Sequence, residues 1–453
     1  MIKEFKNIWE GLRVKDSFAR NLAISFSGQA VGQILGFAFT PFIARTYGPD
    51  NYGIFALFFA IASNISLVST FQLPTGYVSA SSKKDLHILI QITFFVLSFF
   101  TILSALILFF FKERAVLFFE AGNLDLLIYL IPVYVLFMGV EYIMLGWNIY
   151  LKQFGRGAMG KIASIVTSKG LTLLYGILMV PSPIGLIGGN FTIYPLEVLA
   201  KLSPQIRADV VSLLKPFSWQ EIKNVCRRFK SYPLLVTPGL LVTSISGQLP
   251  VYCFSVFFQN SYIGLFALAN SIITVPISVI TNSTTTVFLQ KAAETNRTNP
   301  AVLKNLVLAL HKRLFLISFL PLILFALISD WVFSFIFGAA WQEAGWIASF
   351  LAVSTILAVS QQPLSVLFRL LNREQDNFIL NVISIGLKLG GLSVGVFYND
   401  VKIAVAAYSL TSILSTSLSL TWIFRMVQLS FRNLIWYVLV VLAIFVVIAL
   451  QKF

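Results

Sequence analysis

The chain is short of charge. Of its 453 residues only 11% are Asp, Glu, Lys or Arg, where a soluble domain carries roughly 25%. That excludes a water-facing globular surface as its main boundary. Cysteine is nearly absent. Cys226 and Cys253 make neither a disulfide framework nor a metal spacing, so neither a metal nor a cofactor is expected. The only histidines, His87 and His311, stand alone near the ends of apolar runs and read as interfacial. No metal cluster, catalytic triad or pair of acids lies outside the apolar runs, which argues against an enzyme. The stretch Gly155-Arg-Gly-Ala-Met-Gly160-Lys161 imitates a phosphate-binding loop. The next residue, Ile162, lacks the magnesium-binding hydroxyl and no strand precedes the motif, so ATP hydrolysis is excluded.

What the chain does have is apolar length. It is 57% hydrophobic with 43 Phe, and its mean hydropathy is +0.85. A membrane-crossing helix needs about 20 apolar residues. Such runs recur at residues 21–44, 51–82, 86–111, 126–149, 162–180 and 184–200, with Pro181-Ser182-Pro183 as the tight turn between the last two. Residues 231–290 contain no Lys, Arg, Asp or Glu and hold two more helices, with a turn near Gln259-Asn260-Ser261. Runs at 314–337, 344–368, 377–398, 403–424 and 433–451 complete the series. The expectation is an all-α membrane protein of about 12–13 spans. No cleaved signal peptide is expected. Ile2, Phe5, Ile8, Trp9 and Leu12 recur at the spacing of an amphipathic surface helix at the N-terminus.

The net charge of +15 does not signal nucleic acid, because the basic residues lie in the gaps between spans. With the N-terminus in the cytoplasm, 26 Lys and Arg fall on the inner side and 5 on the outer side, so loop charge supports that orientation and the span count together. A missed span would have exchanged the sides beyond it.

The chain also repeats itself at an offset of 211. Gly53-Ile54-Phe55-Ala56-Leu57 aligns with Gly264-Leu265-Phe266-Ala267-Leu268, Gly28 with Gly239 and Gly36 with Gly247. Two six-helix bundles of the same orientation follow, a common transporter plan. The expected divisions are residues 1–200 for the first bundle with its amphipathic start, 201–230 for a basic cytoplasmic linker, 231–425 for the second bundle and 426–453 for an extra helix. Within the linker, Ser218-Trp219-Gln220-Glu221 has the pattern of a helix capping box, and Ile222, Val225 and Phe229 then share one helix face.

Ionisable groups inside a bilayer are expensive and therefore candidates for function. Lys388 lies near the middle of its span among Ser384, Gly386, Gly390 and Gly391; Lys169 lies in the fifth span beside Ser168 and Gly170. The fifth and eleventh spans correspond in the two halves, so the two lysines could line one cavity. The simpler reading is snorkelling to a polar edge. Arg45 ends the first span, at an outer vestibule or at headgroups. Glu141, in the fourth span, could pair with a Lys or exchange a proton or sodium ion. Glu197 and Lys201, four apart, read as a helix-end ion pair.

Three stretches resemble the polysaccharide (O-antigen type) flippases of the multidrug/oligosaccharidyl-lipid/polysaccharide exporter superfamily. They are Ala44-Arg45-Thr46-Tyr47-Gly48-Pro49 with Asn51-Tyr52-Gly53, then residues 262–270 with Val275-Pro276-Ile277-Ser278, and Phe288-Leu289-Gln290-Lys291-Ala292-Ala293-Glu294. The resemblance covers residues 18–425. It implies a V-shaped pair of six-helix bundles around a central cavity. It implies a substrate of oligosaccharide on undecaprenyl diphosphate, flipped from the cytoplasmic to the periplasmic leaflet of a bacterial inner membrane. Partners would be membrane lipids, a coupling proton or sodium ion, and a polysaccharide polymerase with its chain-length regulator. Arg45, Lys169 and Lys388 would then be the cations offered to the diphosphate, and Glu141 the ion-coupling group. A multidrug or cation antiporter of the same superfamily is the competing reading, since it wants carboxylates in the cavity. A membrane-embedded ligase or polymerase is a third, disfavoured by the short outer loops.

Overall fold

The computed structural model describes residues 18–118, 127–213, 217–298 and 300–453. The expected N-terminal surface helix lies outside them. Every regular element in the described residues is helical. We number the principal helices α1 (Phe18–Ser69), α2 (Lys83–Phe118), α3 (Ile131–Tyr150), α4 (Phe154–Leu178), α5 (Pro183–Phe191), α6 (Ile193–Lys201), α7 (Pro204–Leu213) and α8 (Trp219–Phe229). These are followed by α9 (Thr237–Phe257), α10 (Asn260–Thr298), α11 (Pro300–Phe337), α12 (Gln342–Leu364), α13 (Glu374–Phe397), α14 (Val401–Met426) and α15 (Arg432–Lys452).

Eleven of the helical stretches are long and apolar enough to cross a membrane. The difference from thirteen has two local causes. Helix α1 holds two spans. Its 52 residues would reach about 78 Å at 1.5 Å per residue, more than twice the roughly 30 Å hydrocarbon core. Gly48, with φ 70° and ψ 171°, breaks it in a backbone conformation that favours glycine. The sixth span, in turn, is made of the nine-residue helices α5 and α6 joined at Thr192, each too short to cross alone. The protein is thus an all-α membrane protein with two helix bundles.

Contacts divide the described chain into two units. The first contains residues up to Tyr47 and Leu57–Leu241; the second contains Gly48–Ala56 and Val242–Phe453. In the first unit, α7 and α8 dock on the start of α2. Lys83 pairs with Asp209 at 2.7 Å, Lys84 with Glu221 at 2.5 Å and Arg228 with Asp85 at 2.7 Å. The capping box is present, with Ser218 Oγ accepting from the Glu221 N–H and the Glu221 carboxylate accepting from the Ser218 N–H. The donors to that carboxylate, Lys84 first and then the Ser218 N–H, hold it below its usual range. The bridge therefore forms at neutral pH and is lost on acidification. These contacts put the linker and the start of α2 on one membrane side, as an even number of crossings requires. His87 is buried, with Nε2 3.9 Å from Asp209.

The second unit is built around α12. Of its most apolar window 83% is buried, against 11% for α2. Small residues let neighbours approach closely. Gly345 lies against the Asp330 backbone of α11, and Ser329 and Ser349 share a hydrogen bond of 2.7 Å. The C-terminal α15 belongs to this packing. Tyr437 stacks edge-on against Phe315 at 4.7 Å and His311 at 4.8 Å, and Lys452 pairs with Asp330 at the other end. His311 is fully buried, 2.9 Å from Ser360 Oγ, so it is a packing residue.

The repeat reappears as a physical contact inside this unit. A Cβ on Gly53 would stand 2.0 Å from the Asn260 carbonyl oxygen, and a Cβ on Gly264 would stand 2.0 Å from that of Pro49. Positions 49 and 260, like 53 and 264, are related by the offset of 211. The aligned glycines therefore face each other in a reciprocal, pseudo-two-fold crossing.

Candidate functional site

In the first unit, two acids and two lysines form one network. Helix α3 carries Glu141, α4 carries Lys161 and Ser164, and α6 carries Glu197 and Lys201. The Glu197 and Lys201 side chains are each 3% exposed and pair at 2.5 Å across one helical turn. Lys201 also donates to Glu141, and Lys161 reaches the other Glu197 oxygen at 2.8 Å. Ser164 Oγ donates to Glu197 at 3.4 Å, and Asn148 Nδ2 donates to the Lys201 carbonyl at 2.9 Å. Two carboxylates and two ammonium groups balance one another, which is how buried charge becomes tolerable. The pair read as a helix-end bridge is thus the centre of a four-residue cluster. Lys161 was not legible as a member, because 36 residues separate it from Glu197. The phosphate-loop imitation containing it is helical, within α4.

A strained turn adjoins the network. Phe71 and Gln72, after the second span, have φ 47° and 53°, uncommon for non-glycine residues. Tyr142, next to Glu141, donates to Gln72 Oε1 at 2.6 Å, and Gln72 Nε2 donates to the Leu67 carbonyl at 3.3 Å. These bonds fix the turn to α3. Replacing Lys201 with alanine would leave Glu141 without its cation and Glu197 with Lys161 alone. Breaking a buried pair typically costs about 3–5 kcal/mol. A lowered midpoint of thermal aggregation in detergent, with Lys161→Ala milder, is the expected result.

Lys169 is not part of the network. It is half-buried in α4, and no described residue forms an ion pair or hydrogen bond with it. Ile165, one turn before it, meets Gly32 of α1, while two turns on Gly176 meets Thr46 and Tyr47. Lys169 therefore lies on the α4 face turned to the first span. Beside it, Gly170 borders open space. Arg45 is exposed near the end of that span. Tyr47, two residues on, donates to the Thr172 carbonyl at 2.7 Å.

The second unit places Lys388 mid-way along α13. Its ammonium group donates to Ser246 Oγ of α9 at 3.1 Å and stands 5.7 Å from the centroid of the Tyr408 ring of α14, within cation–π range. Two turns earlier, Asn381 donates to Thr243 at 3.3 Å, so α13 and α9 meet along a polar seam. No described carboxylate pairs with Lys388. Gly391 packs against the Ala407 carbonyl, whereas Gly386 and Gly390 border open space. The small residues around Lys388 thus serve both close packing and an open flank.

This helical architecture is shared with known transporters. The chain resembles the solved structure of the lipid II flippase MurJ in an inward closed conformation at a TM-score of 0.70 and 16% identity, covering 94% of this chain and 93% of that one. It resembles an inward-facing multidrug resistance MATE family transporter of the MOP superfamily at a TM-score of 0.66 and 14% identity, covering 88% and 98%. For the MATE multidrug transporter DinF-BH the values are 0.61 and 16%, covering 89% and 94%. At these identities the likeness is one of fold. No curated protein matches the chain. The polysaccharide biosynthesis protein family matches residues 18–289, more than half of the chain, and the protein belongs to that family.

Proposed function

We propose that this protein is a flippase for oligosaccharide units carried on undecaprenyl diphosphate. It moves them from the cytoplasmic to the periplasmic leaflet of a bacterial inner membrane by alternating access, for surface polysaccharide synthesis. Family membership supports the polysaccharide role, and the fold supports transport. The observation that carries the substrate is Lys388, a cation held at mid-span by a hydroxyl and a ring, with no described carboxylate. Such a group is left to attract an anion, and a diphosphate accepts charge-assisted hydrogen bonds from it. Lys169, likewise without a described partner, and Arg45 would contribute along the path. Each negative charge leaving an inside-negative cell gains roughly 2.3 kcal/mol per 100 mV.

Glu141 would couple transport to a proton or sodium ion through Lys201, which it shares with Glu197. Neutralising Glu141 frees Lys201 to settle on Glu197 and shifts α3 relative to α6. In Glu141→Gln, transport should lose its response to an imposed ion gradient while basal exchange continues; an unchanged gradient response would remove Glu141 from coupling. Lys169 and Lys388, cations with no described carboxylate partner, disfavour the cation-antiporter reading, which wants carboxylates in the cavity. The decisive assay is movement of a fluorescent lipid-linked oligosaccharide across proteoliposomes containing the purified protein. Absence of movement, with drug–cation exchange in its place, would favour the antiporter.

A further inference from the structure

Helix α8 presents two different faces. Val225 and Phe229 are buried at 2% and 4% exposure, and Phe229 stacks on Tyr232 at 5.9 Å. Glu221 and Arg228 tie a second edge to the start of α2. At 100° per residue, Trp219, Lys223, Cys226, Arg227 and Lys230 fall together on the remaining face. All are exposed, Trp219 at 78%. No described acid pairs with Lys223, Arg227 or Lys230.

The location of this face restricts what can cover it. The span Tyr232–Phe257 begins three residues after α8 ends, and the helix is pinned to the first turn of another span. It therefore lies at the level where two spans enter the bilayer, on the side where both start. Trp favours that boundary zone and basic residues are drawn to anionic lipids there.

We propose that the outer face of α8 binds the anionic phospholipid headgroups of that leaflet. The indole would seat among the headgroups, and the three cations would hold phosphates of lipids such as phosphatidylglycerol. The docked edge would fix the helix to the first unit while the free face holds the membrane. This inference does not depend on what the protein carries.

The test uses the full-length protein in nanodiscs of phosphatidylcholine with or without phosphatidylglycerol. A nitroxide on Cys226, after Cys253→Ser, reports on the face. The label should become less mobile when phosphatidylglycerol is present and recover mobility at high salt, which screens surface charge. The triple variant Lys223→Gln, Arg227→Gln, Lys230→Gln should abolish that response. It should also lower the affinity for phosphatidylglycerol, read as lipid retained on purification, by about a hundredfold. Arg228→Gln loosens the docked edge instead and should leave lipid retention unchanged. Equal label mobility in both lipids, or undiminished retention by the triple variant, overturns the proposal. So does loss of binding to a lipid-linked diphosphate in place of phosphatidylglycerol, which would put the face on the substrate route. Failure of Lys388 variants in transport leaves these readouts untouched, so the two proposals are separable.

Discussion

If the proposed substrate is right, Lys388→Met should abolish surface polysaccharide while the protein remains in the membrane at its normal level. The loss follows from the interactions Lys388 makes among the described residues, with Ser246 Oγ and the Tyr408 ring. Neither offsets its charge as a carboxylate would. A unit charge about 4 Å away in an effective dielectric of about 20 interacts by about 4 kcal/mol, roughly a thousandfold in affinity. A diphosphate bears more than one charge, so removing this cation should stop flipping in cells and in proteoliposomes. Stability should move the other way. A cation inside the membrane is unfavourable for folding, and methionine fills much the same space without it. The variant should therefore be at least as heat-resistant as the parent, as when a functional group is retained against stability. Lys388→Arg, keeping the charge on a differently shaped head, should retain partial transport. Normal polymer from Lys388→Met, or a variant that is inactive only because it is unstable, would remove Lys388 from the substrate path.

Gly53→Ala and Gly264→Ala should each sharply lower the amount of folded protein. A new Cβ at either position would sit 2.0 Å from a backbone carbonyl oxygen, with the partner glycine nitrogen at 3.0 Å and 2.9 Å respectively. Backbone cannot swing aside as a long side chain can, so the crossing helices must separate by about an ångström or more. Overpacking of this kind typically costs about 1–3 kcal/mol, and more where both obstacles are main chain. Because the contact is reciprocal, one separation relieves both clashes. The double variant should then be little worse than either single one, the non-additivity expected of groups in contact. Gly239→Ala and Gly247→Ala are the controls. A Cβ at either position meets nothing within 4 Å, so they should be tolerated and even gain the roughly 0.8–1 kcal/mol helical advantage of alanine over glycine. Yields of folded protein by fluorescence-detected size exclusion would separate the two groups. Equal tolerance of all four would mean that the crossing is not packed as described.

The transmembrane class, the recurrence of spans and the 211-residue offset were all legible without coordinates. They depend on runs of apolar residues and on where basic residues interrupt them, and the bilayer imposes both locally on every segment. The halved sixth span escaped that reading, because mean hydropathy does not reveal the break at Thr192. The same holds for the two histidines: nearness to a span end says nothing of which helices cover the ring. His311 is enclosed by Phe424 and Tyr437, residues more than a hundred positions away.

The candidate site divides along the same line. Composition marked Glu141, Lys169 and Lys388 as costly, since charge is conspicuous among apolar neighbours whatever the fold. Only the tertiary structure decided which of them are neutralised. Lys201 lies between Glu141 and Glu197 while Lys169, on the same helix as Lys161, has no described partner. Aligned glycines likewise suggested a duplication, but not that two of them would touch. Periodicity along a chain records the solvent each residue meets; the pairing of distant side chains depends on how helices cross, and that is set by packing in three dimensions.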